Sequence, residues 1–267
     1  GLSPQDREVW MEGKDVPLMR DKKQTDVLYW AGCSGAYDQR GKEISQSVVD
    51  VLKKAGVNFA SLGNEETCTG DSARRIGNEY LFQMMANKNL KTFDKYKFKK
   101  IVTQCPHCLT TLKNDYSELG ADFDVVHHSQ YIAELIKENK IKPEPWMDED
   151  VTYHDPCYLG RHSNEYDAPR DVIQSIMRDG KLVEMEQSKK ESFCCGAGGG
   201  NMWYEIKTGE RINKHRFNQA VETKAKTVAA ACNFCNIMLE DGMKVTGNDK
   251  YMQVLDIAEM VSKGLPK

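Results

Sequence analysis

The sequence lacks a long hydrophobic run, an excess of basic residues and a high cysteine content, and each absence excludes a class of protein. Its 267 residues contain no apolar stretch near the roughly 20 residues that a membrane-spanning helix needs. Lysine and arginine number 37 against 40 aspartates and glutamates, which argues against nucleic acid as the main partner. Nine cysteines are too few for a disulfide-stapled secreted scaffold, in which roughly 8–10% of residues are cysteine.

The N-terminus also lacks the basic and apolar segments of a signal peptide. The cysteine count is odd, and a chain of this length folds without disulfide bonds. The glycine-rich segment 195–200 lacks the Gly-Lys-Ser/Thr signature of a phosphate-binding loop. We therefore expect a reducing compartment, the cytoplasm, in which thiolates are kept for metal or redox chemistry.

The cysteines occur in two sets that repeat along the chain. Three of the first set recur 127 positions later and one recurs 124 positions later: Cys68, Cys105, Cys108 and Cys33 match Cys195, Cys232, Cys235 and Cys157. A repeat of this length exceeds the roughly 20–50 residues of a solenoid unit and predicts two similar domains. We assign residues 1–24 to an N-terminal extension, 25–142 to a first cysteine-rich domain and 143–267 to a second. The polar segment 137–150, which contains two prolines, is the predicted linker.

Short apolar segments just before the cysteines predict buried strands. Val27–Trp30 precedes Cys33, and Lys100–Thr103 precedes Cys105. Helical patterns lie between these strands, and this alternation favours a parallel sheet with covered faces. The predicted fold class is α/β, with two pseudo-symmetric domains that each contain a small, mainly parallel sheet flanked by helices. The cysteine loops then lie at the carboxyl ends of the strands, where such sheets place their sites.

Two helices are predicted within the first half. Apolar residues from Ile44 to Leu52 form one face of a helix that is expected to end near Gly56. Asp71 and Ser72 are expected to begin a second helix, which carries the apolar residues Ile76, Tyr80, Leu81 and Met84.

The second half brings together five thiols from three loops, a set that suits a soft metal centre: Cys157, Cys194, Cys195, Cys232 and Cys235. A Cys-x-x-Cys turn directs both sulfurs towards one ion or cluster. Glycines after the adjacent pair allow the backbone to approach a bulky inorganic group, and their amides can donate to sulfur. A single Cys-x-x-Cys is also typical of a zinc turn or a redox dithiol, but the duplication of the whole set favours a metal.

Histidines near the cysteines have a functional and an ordinary interpretation. His154 and His162 could tune the second-half site or donate protons there, or they could be loop residues bonded to backbone. Arg161 could offset the charge of a cluster or pair with a surface acid. His107 and the pair at 127–128 are expected not to be ligands, because four cysteines already complete a tetrahedron in the first half.

Two segments of the second half carry a specific family resemblance. His-Asp-Pro-Cys-Tyr-Leu-Gly-Arg at 154–161 and Phe-Cys-Cys-Gly-Ala-Gly-Gly-Gly at 193–200 resemble the cysteine-rich CCG domain. That domain occurs in a subunit of heterodisulfide reductase and in iron–sulfur subunits of glycolate, glycerol-3-phosphate and lactate oxidising systems. The resemblance extends from about residue 25 to about residue 261. In the first half, the chain is most similar to membrane-associated iron–sulfur proteins that accept electrons from electron-transfer flavoprotein.

The resemblance implies a [4Fe–4S] cluster in each complete motif, and in heterodisulfide reductase these clusters are noncubane and served by five cysteines. Carried over to this sequence, all five second-half cysteines are ligands. In the first half, Thr67 stands where the second half has Cys194, which leaves Cys33, Cys68, Cys105 and Cys108. Four thiolates suit a cubane cluster or structural zinc. We expect a cluster in the first half, with zinc as the alternative.

The resemblance implies an iron–sulfur redox protein, an electron-transfer subunit or domain of an oxidoreductase. It would relay electrons from a flavoprotein towards a quinone or another acceptor. The expected partners are electron-transfer flavoprotein and a membrane or ferredoxin-like subunit, which would place the chain peripherally at the cytoplasmic face of the membrane. The alternatives are a catalytic thiol–disulfide site of the heterodisulfide reductase type and a zinc-stabilised assembly module.

Overall fold

The structure is a computed structural model that describes residues 6–204 and 209–266. The chain divides into two compact units, Gly1–Tyr131 and Ile132–Lys267. Each unit contains a parallel sheet flanked by helices, which confirms the predicted α/β class with two similar domains. Within the described residues, no helix combines the length and the apolar character needed to cross a bilayer.

The first unit is built on four parallel strands: β1 (Val27–Trp30), β2 (Phe59–Ser61), β3 (Lys100–Thr103) and β4 (Val125–His127). Their order in the sheet is β2-β1-β3-β4. Leu28 of β1 lies between Ala60 of β2 and Ile101 of β3. Every residue of β1 is buried, as expected for a parallel sheet covered by helices on both faces. The bounds predicted for β1 and β3 are confirmed.

The helices that begin in the first unit are α1 (Met19–Lys22), α2 (Gly32–Tyr37), α3 (Gln39–Lys54), α4 (Asp71–Arg75), α5 (Glu79–Phe93), α6 (Pro106–Thr110) and α7 (His128–Lys137). The prediction for α3 is confirmed, because its apolar face is buried and the chain turns at Gly56 directly after it. Asp38 caps this helix by accepting the backbone N–H of Gly41 at 3.0 Å.

The second helix predicted in the first half is wrong, because the segment forms two helices, α4 and α5. Gly77 lies between them with φ +85°, a conformation that ends a helix at little cost only for glycine. Asn78 then begins α5 by accepting the N–H of Leu81 at 3.0 Å. Three residues of the predicted apolar face are exposed: Ile76, Tyr80 and Met84. The buried positions of α5 are Phe82, Ala86, Asn89, Thr92 and Phe93.

The second unit contains three parallel strands: β5 (Val151–Tyr153), β6 (Thr227–Ala230) and β7 (Gln253–Asp256). They lie in the order β5-β6-β7. A single bridge joins Val151 to Leu182, beside β5, where the first unit has the strand β2. The helices of this unit are α8 (Cys157–Gly160), α9 (Asp167–Ser175), α10 (Ile212–Glu222), α11 (Asn233–Val245) and α12 (Ile257–Gly264).

The segment predicted as a linker is bonded to the second unit along part of its length. The backbone N–H of Glu144 donates to the carbonyl of Gly264 at 2.7 Å. The indole of Trp146 donates to the carbonyl of Met260 at 3.0 Å. These bonds make the chain from residue 144 onward an ordered edge of the second unit.

Candidate metal centre

All five cysteines of the second unit lie beyond the carboxyl ends of its strands. Cys157 opens α8 soon after β5 ends. Cys232 is the N-cap of α11, just after β6, and Cys235 lies in the first turn of that helix. Cys194 and Cys195 reach the same edge from a long loop. The parallel sheet therefore gathers thiols from three segments at one place, as such sheets do with their sites.

The five sulfurs form one continuous series of contacts. The thiols interact in the order Cys157, Cys194, Cys195, Cys235 and Cys232. Cys195 Sγ and Cys235 Sγ are 3.4 Å apart, far beyond the roughly 2.05 Å of a disulfide bond. All nine cysteines of the chain are free thiols. The structure thus brings together every second-half cysteine that the sequence indicated.

Crowding separates the pKa values of these thiols. Hydrogen bonds from the Cys157 and Cys195 thiols lower the pKa of Cys194 to about 2. The same contact with Cys194, followed by burial, raises the pKa of Cys157 far above its usual range. Contact with Cys195 likewise raises the pKa of Cys235. Sulfurs this close can all be thiolates only when a cation lies among them, which is the property of a metal-binding set.

A network of ion pairs holds the loop in front of Cys157. The Arg170 guanidinium binds both carboxylate oxygens of Asp155 at 2.8 and 2.9 Å, and it also binds Glu184. Asp155 in turn accepts the backbone N–H of Lys189 at 2.8 Å. This bond connects the segment before Cys194 and Cys195 to the chain just after β5. Planar, two-pronged arginine–carboxylate pairing fixes such geometry well.

His154 lies beside the second-unit sulfurs. One of its ring nitrogens and the sulfurs of Cys195 and Cys235 all lie within 4.8 Å of one another. Its Nδ1 accepts a hydrogen bond from Arg216 Nε at 3.0 Å. Burial and the nearby Arg216 cation lower the pKa of His154 well below its usual value, so the ring is neutral. The structure therefore places this histidine in the site.

Arg161 and His162 have roles that the sequence did not indicate. Arg161 donates to the backbone carbonyls of Lys190, at 3.0 Å, and Ser192, so it fastens the loop before the cysteine pair. His162 is exposed and stacks on Tyr158, with ring centroids 4.5 Å apart. The Gly196 amide does donate to sulfur, as predicted for the glycines after the pair, and reaches Cys194 Sγ at 3.2 Å.

The first unit gathers its four cysteines in the same way but in two pairs. Cys33 Sγ lies 3.9 Å from Cys68 Sγ, and Cys105 contacts Cys108 at the start of α6. A hydrogen bond from Cys33 lowers the pKa of Cys68 to about 6, and the same bond raises the pKa of Cys33. Gly32 has φ +75°, and a Cβ there would lie 3.2 Å from Cys108 Sγ. Glycine therefore leaves room beside the sulfurs that another residue would fill.

The loop around Cys68 is fixed by two buried polar groups. Asn89 of α5 accepts the Thr67 N–H and donates to the carbonyls of Thr67 and Cys68, each at 3.1 Å. Glu66 forms a buried ion pair with Arg7 and accepts the N–H of Gly32 at 3.0 Å. The pair joins the N-terminal segment, the α2 loop and the Cys68 loop in one buried network.

The remaining histidines have partners other than the sulfurs. His107 Nδ1 lies 3.0 Å from Asp71 Oδ2. His127 Nδ1 lies 2.7 Å from Ser129 Oγ, and its Nε2 lies 3.3 Å from the carbonyl of Gln104. That the first-half histidines are not metal ligands stays a prediction.

Sequence reasoning did not single out Arg216, Asn89, Arg7 or Glu66. The repeat carries a signal for two of them, because Asn89 and Arg216 are separated by the same 127 positions as the matching cysteines. Both are fully buried polar residues on the helix that packs behind a cysteine loop. No comparable signal marks Arg7 and Glu66, which are distant in sequence and meet only through the fold.

Buried polar atoms beside the cysteines test whether the sites fit an inorganic group. Among the described residues, several atoms that can donate have no hydrogen-bond partner and lie within three positions of a cysteine: Trp30 Nε1, Ser34 Oγ, Thr110 Oγ1, His154 Nε2 and Asn233 Nδ2. The acceptor atoms Asn233 Oδ1 and Asn236 Oδ1 also have no partner there. Buried polar atoms in proteins are nearly always bonded. Their concentration around the thiols fits a group that carries acceptor atoms, as the sulfides of an iron–sulfur cluster do.

The chain resembles known proteins over most of its length. It is 40% identical over 268 residues to the EtfAB:quinone oxidoreductase of Syntrophomonas wolfei, covering 96% of this chain and 37% of the relative. It is 42% identical to a probable membrane-anchored ferredoxin of Chromohalobacter salexigens, covering 99% and 40%. It is 35% identical to a subunit of the dihydromethanophenazine:CoB–CoM heterodisulfide reductase of Methanosarcina barkeri, covering 97% and 63%.

Two of these relatives are named as a quinone oxidoreductase and a probable ferredoxin. The chain spans only about two fifths of the length of the first two relatives. The cysteine-rich domain family, CCG, matches residues 27–113 and 151–240, one copy in each unit. The chain therefore belongs to the CCG cysteine-rich domain family, as the resemblance of its cysteine motifs implied.

Proposed function

We propose that this chain relays electrons through an iron–sulfur centre held in its second unit. The observation that carries the proposal is the continuous contact of five free thiols at one sheet edge. A tetrahedral zinc site has no place for the fifth thiolate. The proposed ligands are Cys157, Cys194, Cys195, Cys232 and Cys235. The group is a [4Fe–4S] cluster, and the noncubane form is the variant that uses all five thiolates.

When bound, such a cluster accepts one electron from a reduced flavin and gives it up to an acceptor. The chain's own part is to hold the thiols rigidly and to keep water from most of them. Cys195, Cys232 and Cys235 are buried, whereas Cys157 and Cys194 are only half-buried. Cys232 is the N-cap of α11 and Cys235 lies in its first turn, where the helix dipole favours negative charge. The neighbouring Arg216 cation acts in the same direction.

The first unit is proposed to hold a second cluster, with Cys33, Cys68, Cys105 and Cys108 as ligands. Four thiolates from three segments suit a cubane [4Fe–4S] cluster. The unpartnered donors of Trp30 and Ser34 favour a group with sulfide acceptors over a bare zinc ion. Zinc remains the alternative that the metal analysis below decides.

The proposed donor is a flavoprotein of the electron-transfer type, and the proposed final acceptor is a quinone. The name of the Syntrophomonas relative, which couples EtfAB to quinone, supports this direction. Each quinone takes two electrons and two protons to become a quinol, so the relay would operate twice per quinone. A ferredoxin-like or membrane subunit is proposed as a further partner, in line with the Chromohalobacter relative. Its membrane anchor would hold this chain peripherally at the cytoplasmic face.

Metal analysis of anaerobically purified protein tests the proposal first. Iron, acid-labile sulfide and zinc are measured beside the visible absorption spectrum. About eight irons per chain are expected from two clusters, and about four would assign the first unit to zinc or to no metal. Colourless protein that holds zinc and does not take up iron on reconstitution would reject the relay and leave an assembly module.

Rapid mixing with reduced electron-transfer flavoprotein tests the donor. The cluster absorption should bleach at a rate that rises with flavoprotein concentration and should recover when a soluble quinone is added. Bleaching by dithionite but not by the flavoprotein would support the presence of a cluster and reject the flavoprotein as its electron donor. Bleaching without recovery on quinone addition would keep the donor and require a further subunit between the two.

A catalytic disulfide site is the second candidate function. The five-thiol site and the heterodisulfide reductase relative favour it, and the half-buried Cys157 and Cys194 would give a substrate access. A disulfide bound there would take two electrons and two protons and leave as two thiols. Anaerobic turnover of mixed disulfides by the dithionite-reduced protein is the deciding assay. Thiol release by the wild-type protein that stops in Cys194→Ser would support catalysis. If the wild-type protein releases no thiol, electron relay would be the one function left of the two.

A further inference from the structure

The imidazole of His154 is held by a fully buried arginine that cannot turn. Arg216 is 0% exposed, and its side chain donates four hydrogen bonds. Nε reaches His154 Nδ1 at 3.0 Å, Nη2 reaches Ser192 Oγ at 3.2 Å, and Nη1 reaches the Gln187 carbonyl at 3.0 Å and Gln219 Oε1 at 2.6 Å. Each of these groups is fixed by backbone or by a neighbour. The guanidinium therefore has one orientation, with Nε–H on the imidazole.

This contact decides which nitrogen of His154 carries the proton. Arginine has five donor hydrogens and no acceptor, so Nδ1 must offer its lone pair to Arg216. A neutral imidazole that accepts at Nδ1 carries its hydrogen on Nε2. Nε2 is buried and has no hydrogen-bond partner among the described residues. Nε2, the ring nitrogen that Arg216 does not bind, is therefore an N–H donor and has no lone pair for a metal.

We propose that His154 donates its Nε2–H to the sulfur centre formed with Cys195 and Cys235, in the tautomer that Arg216 imposes, and that His154 is not a metal ligand. Arg216 acts through His154 and is a positioning residue. Hydrogen bonds to cluster sulfurs stabilise the reduced, more negative state and raise the reduction potential. The proposal rests on the proposed cluster in the second unit.

The equivalent position in the first unit supports this assignment independently. Trp30 precedes Cys33 by three residues, as His154 precedes Cys157. Its indole Nε1–H is also buried without a partner among the described residues. A Cβ at Gly32 would lie 3.9 Å from this nitrogen and 3.2 Å from Cys108 Sγ, so the donor and the sulfur border the same space. Indole can only donate, so the first unit offers an N–H at this position, as proposed for His154 in the second.

Redox titration of the full chain, followed by electron paramagnetic resonance, tests the proposal on the second-unit cluster. His154→Leu removes the donor and should lower the ratio of reduced to oxidised cluster about tenfold at a fixed potential, which is 59 mV for a one-electron couple. His154→Gln keeps an amide N–H and should recover most of the wild-type potential. Arg216→Met removes both the constraint on the tautomer and a buried cation, and should shift the potential in the same direction as His154→Leu. His162→Leu, at an exposed histidine stacked on Tyr158, is the matched control and should change nothing.

Pulsed resonance on protein labelled with ¹⁵N-histidine supplies a second readout. A weak nitrogen coupling that disappears in His154→Leu is expected from a hydrogen-bonded imidazole. The strong coupling of a directly bound nitrogen would overturn the proposal. So would an unchanged potential in His154→Leu with full iron content, or an equal loss of iron in His154→Leu and His154→Gln. Loss of iron in His154→Leu alone would support the donor role.

The two proposals fail in different ways. Wild-type protein that holds no iron would reject the proposed function before any variant is measured. Iron-loaded protein in which His154 behaves as a ligand, or has no effect on the potential, would reject only the inference about His154 and Arg216.

Discussion

The two units share one frame but balance charge differently at their sulfur sites. In the second unit, five thiols lie beside Arg216, whose hydrogen-bond partners are all uncharged. In the first unit, Thr67 replaces one thiol, and the nearby cation Arg7 is paired with the buried carboxylate of Glu66. The second site therefore has one more potential anion and one cation left to compensate it. The comparison teaches that the site with four thiols has its nearby arginine paired with a carboxylate, whereas the site with five thiols has an arginine without a charged hydrogen-bond partner.

The first prediction breaks each site in turn through equivalent cysteines. Cys195→Ser should remove the second-unit cluster, about four irons per chain, with the loss of its visible absorption. Cys68→Ser should remove only the metal of the first unit. Each variant is the control of the other, and the measurement is metal content with circular dichroism as a check on folding. Equal loss of all metal in both variants would contradict two separate sites.

The second prediction restores the missing thiol. Thr67→Cys should move the first-unit signals in electron paramagnetic resonance towards those of the second unit and should reduce zinc uptake, because a fifth thiolate has no place in tetrahedral zinc. Thr67→Ser keeps the hydroxyl and should leave the metal content and spectra unchanged. Unaltered spectra in Thr67→Cys would mean that the position does not face the metal.

The third prediction removes one charge from the buried Arg7–Glu66 ion pair of the first unit. Glu66→Gln leaves Arg7 buried without its carboxylate and should lower the free energy of unfolding by about 3 kcal/mol, measured by urea denaturation. Arg7→Met combined with Glu66→Gln removes both charges and should recover most of that loss. A double variant as unstable as the single one would show that the hydrogen bonds, rather than the charge, hold this network.

The fourth prediction loosens the Cys68 loop. Asn89→Ala removes the side-chain partner of the part-buried backbone groups of Thr67 and Cys68 and should cost about 2 kcal/mol in the free energy of unfolding. Asn87 lies two residues earlier on the exposed face of α5 and bonds only to Gln83 among the described residues. Asn87→Ala should therefore change stability by less than about 0.5 kcal/mol. Similar losses in both variants would reflect helix propensity alone.

Features that depend on local residue patterns could be predicted from the sequence. Features that depend on contacts between distant segments could not. Val27–Trp30 and Lys100–Thr103 are apolar runs that end before cysteines, and the structure has strands at both. The grouping of the thiols followed from their spacing and from the geometry of parallel sheets. The break between α4 and α5 was missed, because a lone glycine in a helical pattern does not reveal its φ angle.

The contact between His154 and Arg216 is an example of a feature that could not be predicted from the sequence. The two residues are 62 positions apart and meet because α10 packs beside the cysteine loop. Proximity to Cys157 made His154 a candidate, but its tautomer depends on a partner that no local pattern indicates. Protonation of a buried ring is a property of the assembled fold.

At each sulfur site, two thiols are partly exposed to solvent, and this exposure affects both metal loading and oxidation. Cys33 and Cys68 in the first unit, and Cys157 and Cys194 in the second, are half-buried, whereas both Cys-x-x-Cys turns are buried. Iron donors and oxidants must therefore arrive by the same route and meet the same two thiols first. Oxidation should begin at the half-buried thiols of each site, while the buried turns stay reduced. Metal loading and oxidative damage therefore both begin at the half-buried thiols of each site.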